Sequence, residues 1–235
     1  ARKLRRFPKV SVIIPARNEE KIIESTISKY RQNYNPLEII VVVNNSSDAT
    51  YMLSKTLANK ALNFSGRIGV SRARNEGAKV ATGNILIFSD ADTYLAEGAI
   101  GKLAVATDEN TVSVPLGRPQ ERGLRGKLFF FYKNLGHRLG FYKSAISGVI
   151  VCGREAFFKV KGFNEAKKIA EYSDLIKRLV QHGVTYKLIT SAYAVTSLRR
   201  FIKNGYIKEY VFWIKWRILS LFGRGSALED EYFNN

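Results

Sequence analysis

The chain has 235 residues, 46% of them hydrophobic, which suits one sizeable core with an appendage and is short for two full domains. Its single cysteine, Cys152, excludes an internal disulfide and a Cys-rich zinc site, which fits a reducing compartment. The formal net charge of +18 predicts an anionic partner: a nucleic acid, an anionic membrane surface or a phosphorylated substrate.

Residues 1–9 are predicted to be a basic leader, because they carry Arg2, Lys3, Arg5 and Arg6. No apolar stretch resembling a signal peptide follows them, and nowhere do about 18 apolar residues run together. We therefore expect no membrane-spanning helix.

Two strand-loop-helix units are predicted next. Residues 10–15 and 38–43 are apolar runs typical of buried strands, and each is followed by a polar loop and a helical pattern. Ser47 or Asp48 is the expected N-cap of the second helix. Right-handed crossovers make the two strands parallel, so both loops are expected at the same edge of a sheet.

A helix is predicted over residues 69–81. Gly69, Ala73 and Gly77 recur every four residues, and such a stripe lets a helix approach a sheet or a ligand closely. Arg74 lies beside the stripe and has two interpretations: a guanidinium that pairs with a phosphate, or an ordinary solvated charge.

The next predicted strand, residues 85–88, ends in two carboxylates, Asp90 and Asp92. Ligands of open α/β sheets bind at this end of the strands. Carboxylate oxygens suit Mg²⁺ or Mn²⁺, which takes only one or two protein carboxylates and fills its remaining positions with water and phosphate oxygens. The alternative is a plain strand-to-loop turn, where Asp is common.

Four blocks together resemble the family 2 glycosyltransferases: residues 10–19, 38–50 and 69–77, and the Asp90-Ala91-Asp92 motif. That resemblance implies the α/β GT-A fold, a Rossmann-like, mostly parallel central sheet flanked by helices. It also implies a UDP- or GDP-sugar donor and a divalent cation, Mg²⁺ or Mn²⁺, held by Asp90 and Asp92. Asp90 would in addition contact the nucleotide sugar. Transfer would invert the configuration of the sugar.

The same resemblance implies that further residues lie at the donor site. Pro15, Arg17 and Glu19 would line the nucleoside pocket, and Arg74 would lie near the base and ribose. Asn44 takes the place of an acidic residue often found after the second strand, which leaves the identity of the nucleotide base open.

The second half of the chain is predicted to form the acceptor side. A helix is expected over residues 97–107, a short strand over 112–114, and a basic, glycine-rich mobile loop over 117–126. Residues 128–142 are aromatic and basic, which suits either a membrane interface or core packing.

The catalytic base is ambiguous, because Tyr172 stands where the family commonly has an aspartate. Glu171 is adjacent and is the first choice for the base, with Asp174 three residues further on as the second. A phosphate acceptor is already ionised and needs no strong base, and the tyrosine would then be harmless.

The last predicted strand ends at Arg199 and Arg200, which either clamp a diphosphate or begin an ordinary basic helix. Residues 201–222 are predicted to be an apolar and basic helix that covers the sheet or enters an anionic membrane interface. We therefore expect a leader over 1–9, a GT-A domain over 10–200 and an amphipathic C-terminal segment over 201–235.

The predicted function is sugar transfer to a membrane-associated acceptor, a lipid-linked glycan or a polyprenyl phosphate, by a cytoplasmic protein peripheral to the inner face of the cell membrane. An inactive relative that only binds nucleotide sugar is the first alternative, and Tyr172 supports it. A sugar-nucleotide pyrophosphorylase would need a glycine-rich loop at residues 15–18, which instead read Pro-Ala-Arg-Asn. A basic nucleic-acid-binding protein is a less favoured alternative: the basic residues are dispersed along the chain, so no nucleic-acid partner is expected.

Overall fold

The computed structural model describes residues 8–141, 143–167 and 169–206, and beyond them residues 208, 209, 211, 212, 215 and 219. Most of the basic leader, and ten of the 22 residues of the helix predicted over 201–222, therefore lie outside the described residues. The contacts of the chain define two compact units, residues 1–196 and residues 197–235, and each is described by itself.

One mixed sheet organises the first unit. Its strands are β1 (Val10–Ala16), β2 (Leu37–Asn44), β3 (Lys60–Phe64), β4 (Ile85–Ser89), β5 (Thr93–Leu95), β6 (Thr111–Pro119), β7 (Val149–Gly153) and β8 (Thr185–Thr196). Its helices are α1 (Ile23–Arg31), α2 (Thr50–Leu57), α3 (Val70–Val80), α4 (Ala99–Ala106), α5 (Leu124–Arg138), α6 (Arg154–Lys159) and α7 (Glu171–Gln181).

The strand order is β3-β2-β1-β4-β7-β6-β8-β5. Strands β1, β2, β3 and β4 are parallel, β7 is antiparallel to both β4 and β6, and β8 is parallel to β6. Consequently β1, β2, β4, β6 and β8 all end at the same edge of the sheet, where β7 begins. The parallel α/β prediction is confirmed, and this edge is the one that the sequence assigned to ligands.

The central strands read as continuous apolar runs because the sheet is covered on both faces. In β1, Val12 and Ile14 belong to a core shared with α1 and α4, whereas Ile13 belongs to a core shared with α3, α6 and α7. All three side chains are fully buried. Each such side chain contributes about 1.5–3 kcal/mol through its removal from water.

Helix α3 lies unusually close to the sheet. A Cβ at Gly77 would come within 2.5 Å of Ile13 Cγ2 and 2.9 Å of Val42 Cγ2, so only glycine fits without a shift. Ala73, one turn earlier, is also fully buried. The close approach expected from the small residues is confirmed here, and it holds the neighbouring Arg74 at a defined depth.

The loop predicted over residues 117–126 is shorter in the structure, where it covers only residues 120–123. Strand β6 continues to Pro119 because it pairs with β8 as far as Thr196, and α5 begins at Leu124. Gly117 allows β6 and α5 to pack closely, because a Cβ at this position would collide with Phe130 of α5. The short strands β3 and β5 were missed because neither carries a long apolar run.

The expected cap of α2 is also different. The helix begins at Thr50, the N-cap position is Ala49, and no side chain caps it there. Asp48 lies one residue earlier, and its Oδ1 accepts a hydrogen bond from the Thr50 backbone N–H at 3.0 Å.

The second unit begins with α8 (Arg199–Asn204). Gly205 follows with a φ of +86°, so the helix predicted over 201–222 is interrupted there. Among the described residues, no helix is both long and apolar enough to cross a membrane.

Candidate functional site

The edge at which the parallel strands end carries a cluster of charged side chains. Asp90 follows β4, Gly148 precedes β7, Arg74 comes from α3, and Glu171 and Tyr172 open α7. Arg74 and Glu171 are 97 positions apart in the chain, and the fold brings them together.

Arg74 is the centre of the cluster. Its Nη2 donates to Asp90 Oδ1 at 2.6 Å and its Nη1 donates to Glu171 Oε1 at 2.9 Å, while its side chain is only 2% exposed. Burial by itself would lower the pKa of Arg74. The electrostatic contributions of Tyr172, Asp90 and Glu171 outweigh burial and raise the pKa above its usual range. The interpretation of Arg74 as a solvated charge is therefore wrong.

Tyr172 packs against this guanidinium, with the Arg74 Cζ 4.2 Å from the centre of its ring. Its hydroxyl oxygen is 2.9 Å from the Gly148 carbonyl oxygen and 3.1 Å from Asp90 Oδ1, so one proton serves two acceptors. Burial raises the pKa of Tyr172 well above its usual value; Arg74 opposes this effect, and the nearby Asp90 and Glu171 add to it. Tyr172 thus donates a hydrogen bond to Asp90.

Gly148 makes room for the Asp90 carboxylate. Its φ is +67°, a left-handed conformation that favours glycine, and a Cβ there would collide with Asp90 Oδ2. Asp90 is therefore held by Arg74 and Tyr172 on one oxygen and confined by the Gly148 backbone near the other. Its side chain nevertheless remains 41% exposed at the edge of the sheet.

Asp92 is half-buried and follows Asp90 by one intervening residue. Its Oδ1 lies 3.3 Å from the hydroxyl oxygen of Thr93, which in turn contacts the Thr196 hydroxyl at 2.7 Å. Among the described residues no three His, Cys, Asp or Glu side chains cluster as a metal site. Two carboxylates at a partly open edge suit Mg²⁺ or Mn²⁺, which completes its shell with phosphate oxygens and water.

The loops after β1 and β2 are hydrogen-bonded to each other. Asn18 adopts a φ of +53°, a conformation that asparagine tolerates, and its side chain and backbone both reach the second loop. The bonds are Ser47 N–H to Asn18 Oδ1 (3.0 Å), Asn18 N–H to Ser46 Oγ (3.0 Å), Glu19 N–H to Thr50 Oγ1 (2.8 Å), Glu20 N–H to Asp48 Oδ2 (3.2 Å) and Ala49 N–H to Glu20 Oε2 (3.1 Å).

The residues expected at the nucleoside differ in exposure. Arg17 is exposed, and Pro15 and Glu19 are half-buried, all at or just after the end of β1. Asn44 is buried at the end of β2, and its Oδ1 accepts the backbone N–H of Ile68 at 2.9 Å. Asn44 therefore holds the segment that leads into α3.

The two candidate bases lie in different surroundings. Glu171 joins the cluster through Arg74 and is mostly buried. Asp174 pairs instead with Arg178 Nε at 2.8 Å, one turn further along α7. Arg199 and Arg200 are exposed at the start of α8, in the second unit.

Sequence reasoning missed two contributions. Gly148 was not singled out, because its collision with a residue 58 positions away leaves no local signal. The departure at Tyr172 was visible in the sequence, but its hydrogen bond to Asp90 was not.

The sequence pattern of the family described as "Glycosyl transferase family 2" matches residues 11–167, more than half of the chain. The chain therefore belongs to glycosyl transferase family 2.

Individual relatives agree with this assignment. The probable glycosyltransferase YdaM of Bacillus subtilis is 29% identical over 215 residues, covering 80% of this chain and 50% of its own. Dolichol-phosphate mannosyltransferase of Pyrococcus furiosus is 29% identical over 163 residues, covering 67% of this chain and 44% of its own. The chain thus spans about half the length of these relatives, or less.

Solved structures show the same fold. The mannosyltransferase PcManGT of Pyrobaculum calidifontis, in complex with GDP-Man and Mn²⁺, superposes with a TM-score of 0.65 at 20% identity, covering 81% of this chain and 57% of its own. S. aureus TarS 1-349 in complex with UDP-GlcNAc has a TM-score of 0.62 at 20% identity, with coverages of 80% and 58%. The fold is the GT-A fold of glycosyltransferases.

Proposed function

We propose that this protein transfers a sugar from a nucleoside-diphosphate sugar to a membrane-associated acceptor, and that the acceptor is a polyprenyl phosphate. The donor would lie along the edge where β1, β2 and β4 end, with the nucleoside near Pro15, Arg17, Glu19 and Asn44. The paired loops after β1 and β2 support this placement, because they are held together before any ligand arrives. Both GDP- and UDP-sugar complexes occur among the similar structures, so either base fits the proposal.

Asp92 and Asp90, the latter through the Oδ2 that Arg74 and Tyr172 do not contact, would hold Mg²⁺ or Mn²⁺. The bound cation would offset the negative charge that develops on the departing diphosphate. Arg74 has a different role in this proposal: its guanidinium holds the Asp90 and Glu171 carboxylates in place. Arg199 and Arg200 are proposed as additional contacts to the diphosphate.

Tyr172 is the observation that favours a phosphate acceptor. The position common for a catalytic aspartate carries a protonated hydroxyl, Glu171 is paired with Arg74 and Asp174 with Arg178. A hydroxyl acceptor must lose a proton during transfer, whereas a phosphate oxygen does not. The phosphate oxygen would bond to the anomeric carbon from the side opposite the leaving group, and the nucleoside diphosphate would depart, which inverts the configuration.

Donor binding is tested by titration calorimetry with UDP, GDP and their common sugar conjugates, with and without Mn²⁺. Wild type is expected to bind one base preferentially and only weakly without the metal. Asp92→Ala is expected to lose the metal-dependent part of nucleotide binding. Asp108 is an exposed carboxylate elsewhere, and Asp108→Ala is expected to bind nucleotide like wild type. A folded wild-type protein that binds none of these nucleotides would contradict the proposal.

Acceptor use is tested by mixing the preferred donor with a polyprenyl phosphate or with a lipid-linked glycan that offers only hydroxyls. Product formed on the phosphate alone is the expected result. Transfer to the hydroxyl acceptor alone would overturn the choice of acceptor. Donor that binds but is neither transferred nor hydrolysed would favour the inactive relative instead.

A further inference from the structure

Helix α5 presents a continuous apolar face to solvent. Four of its large apolar residues and Leu139, the C-cap residue directly after it, follow one another at spacings of four, three, four and four residues, so they lie along one side of the helix. We call this face the α5 stripe; its members, with one neighbouring tyrosine, are 40% to 72% exposed and are Leu124, Leu128, Phe131, Tyr132, Leu135 and Leu139. Phe141, just beyond the helix, is 70% exposed.

Packing holds the opposite side of α5 in place. Phe130 is buried against the position of Gly117 in β6, and the Asn134 side-chain amide pairs with the Gly117 backbone N–H and C=O, both at 2.9 Å. The stripe faces solvent because the opposite face of the helix packs against β6. Exposing so much apolar surface to water is unfavourable, which points to an apolar partner.

The charge around the stripe identifies the partner. The α5 sequence contains no Asp or Glu but carries Arg125, Lys127, Lys133 and Arg138. Arg125, Lys127 and Arg138 are exposed next to the apolar side chains. An adjoining cavity of about 390 Å³ is lined by three cationic side chains, Arg118, Arg122 and Lys127, and by one carboxylate, Glu121. Large apolar side chains flanked by cations are characteristic of helices that lie in the surface of an anionic bilayer.

We propose that α5 docks the protein onto an anionic lipid bilayer, with the stripe inserted among the acyl chains and Arg125, Lys127 and Arg138 at the phosphate headgroups. The helix is about 22 Å long and would lie in the plane of the surface. It follows β6, which ends at the same sheet edge as β4 and Asp90, so docking brings this edge towards the bilayer. The proposal concerns binding alone and stands whether or not the protein transfers a sugar.

The apolar contribution is tested by sedimentation of the full chain with vesicles. We compare vesicles of phosphatidylcholine with vesicles that also contain phosphatidylglycerol. Leu124→Gln/Phe131→Gln is expected to bind the anionic vesicles roughly ten-fold more weakly than wild type. The matched control, Met52→Gln/Val105→Gln, removes two equally exposed apolar side chains from α2 and α4 and is expected to bind like wild type.

The charged contribution has its own pair of variants. Arg125→Gln/Arg138→Gln is expected to weaken binding to anionic vesicles about ten-fold at low salt and much less at high salt. Lys55→Gln/Lys159→Gln removes the same charge from other exposed helix positions and tests for a general effect of net charge. Equal losses in both charge variants would overturn the role of α5, because they would show that only total charge matters.

Two further results would also overturn the proposal. A large drop in the melting temperature of Leu124→Gln/Phe131→Gln would show that the stripe packs against protein, because exposed substitutions normally change stability little. Self-association that this variant abolishes, without any lipid binding by wild type, would show that the stripe binds a second copy of the chain. Unchanged melting temperature with selectively reduced lipid binding is the supporting outcome.

Discussion

Arg74 shows how a single residue can organise a site. Its guanidinium contacts two carboxylates from different elements and stacks on a tyrosine, so three segments of the chain depend on one side chain. Isolated burial of such a charge would be very unfavourable, and the two carboxylates are what make it tolerable. Arg74 therefore stabilises the structure of the site itself, through its contacts with Asp90 and Glu171.

Replacement of Arg74 by methionine is expected to lower the free energy of unfolding by about 3 kcal/mol. The variant leaves Asp90 and Glu171 close together without the charge that compensates them, and Asp90 can recover part of its hydration because it is partly exposed. Urea denaturation measures the change. Arg72→Met, an exposed arginine on the same helix, is expected to stay within about 0.5 kcal/mol of wild type. Equal effects of the two variants would refute the central role of Arg74.

A comparison of two glycines separates backbone strain from the space needed by Asp90. Gly148 and Gly140 both have positive φ, but only Gly148 has a neighbour that an added Cβ would strike. Gly140→Ala is expected to cost about 1 kcal/mol of stability from strain and to leave nucleotide binding unchanged. Gly148→Ala is expected to displace the Asp90 carboxylate and to weaken Mn²⁺-dependent nucleotide binding about ten-fold or more, measured by calorimetry. Similar nucleotide affinities in the two variants would contradict this role of Gly148.

Among the elements, the strands are tied together at both edges. At the edge opposite the site, Glu38 at the start of β2 accepts hydrogen bonds from Ser11 of β1 and from the Thr82 backbone ahead of β4, and it pairs with Lys60 of β3 at 2.9 Å. Burial by itself would raise the pKa of Glu38. Its hydrogen bonds and Lys60 outweigh burial and lower the pKa to about 2. One carboxylate therefore joins three neighbouring strands and the segment that leads into β4.

This arrangement predicts a pH-dependent contribution to stability. A lowered pKa means that the ionised carboxylate favours the folded state, so the contribution is complete above the ordinary value of 4.5 and is lost as the pH falls towards 2. Glu38→Gln is expected to be about 2–3 kcal/mol less stable than wild type at neutral pH, and the difference should shrink below pH 4.5. Urea titrations across this range test it, with Glu76→Gln as a more exposed control. A difference that does not change with pH would contradict the assignment.

At the scale of the whole molecule, the parallel strand ends, the paired loops and the carboxylates converge on one edge, and α5 begins there as well. The net charge of +18 suits a protein that meets diphosphates and anionic lipids. Binding of the donor and the metal at this edge is therefore expected to raise the melting temperature of the protein.

Mn²⁺ and the preferred nucleotide sugar together are expected to raise the melting temperature by roughly 5–10 °C when the donor is at about 100 times its Kd. The gain arises because the ligands bind the folded state and not the unfolded one. Differential scanning fluorimetry measures the shift, and a metal chelator or Asp92→Ala should remove most of it. An undiminished shift after chelation would show that the metal is not needed for donor binding.

The sequence alone determined the order of the βα units, the edge of the sheet at which their loops lie, and the position of Asp90 and Asp92 at that edge. Apolar periodicity and the handedness of parallel crossovers are local properties, and they suffice for those conclusions. Tertiary structure decided that Arg74 is buried between two carboxylates, that Tyr172 donates to Asp90, that Gly148 makes room for Asp90, and that β6 extends to Pro119. These outcomes depend on contacts between distant residues, whose geometry exists only after the sheet has formed and its side chains have packed.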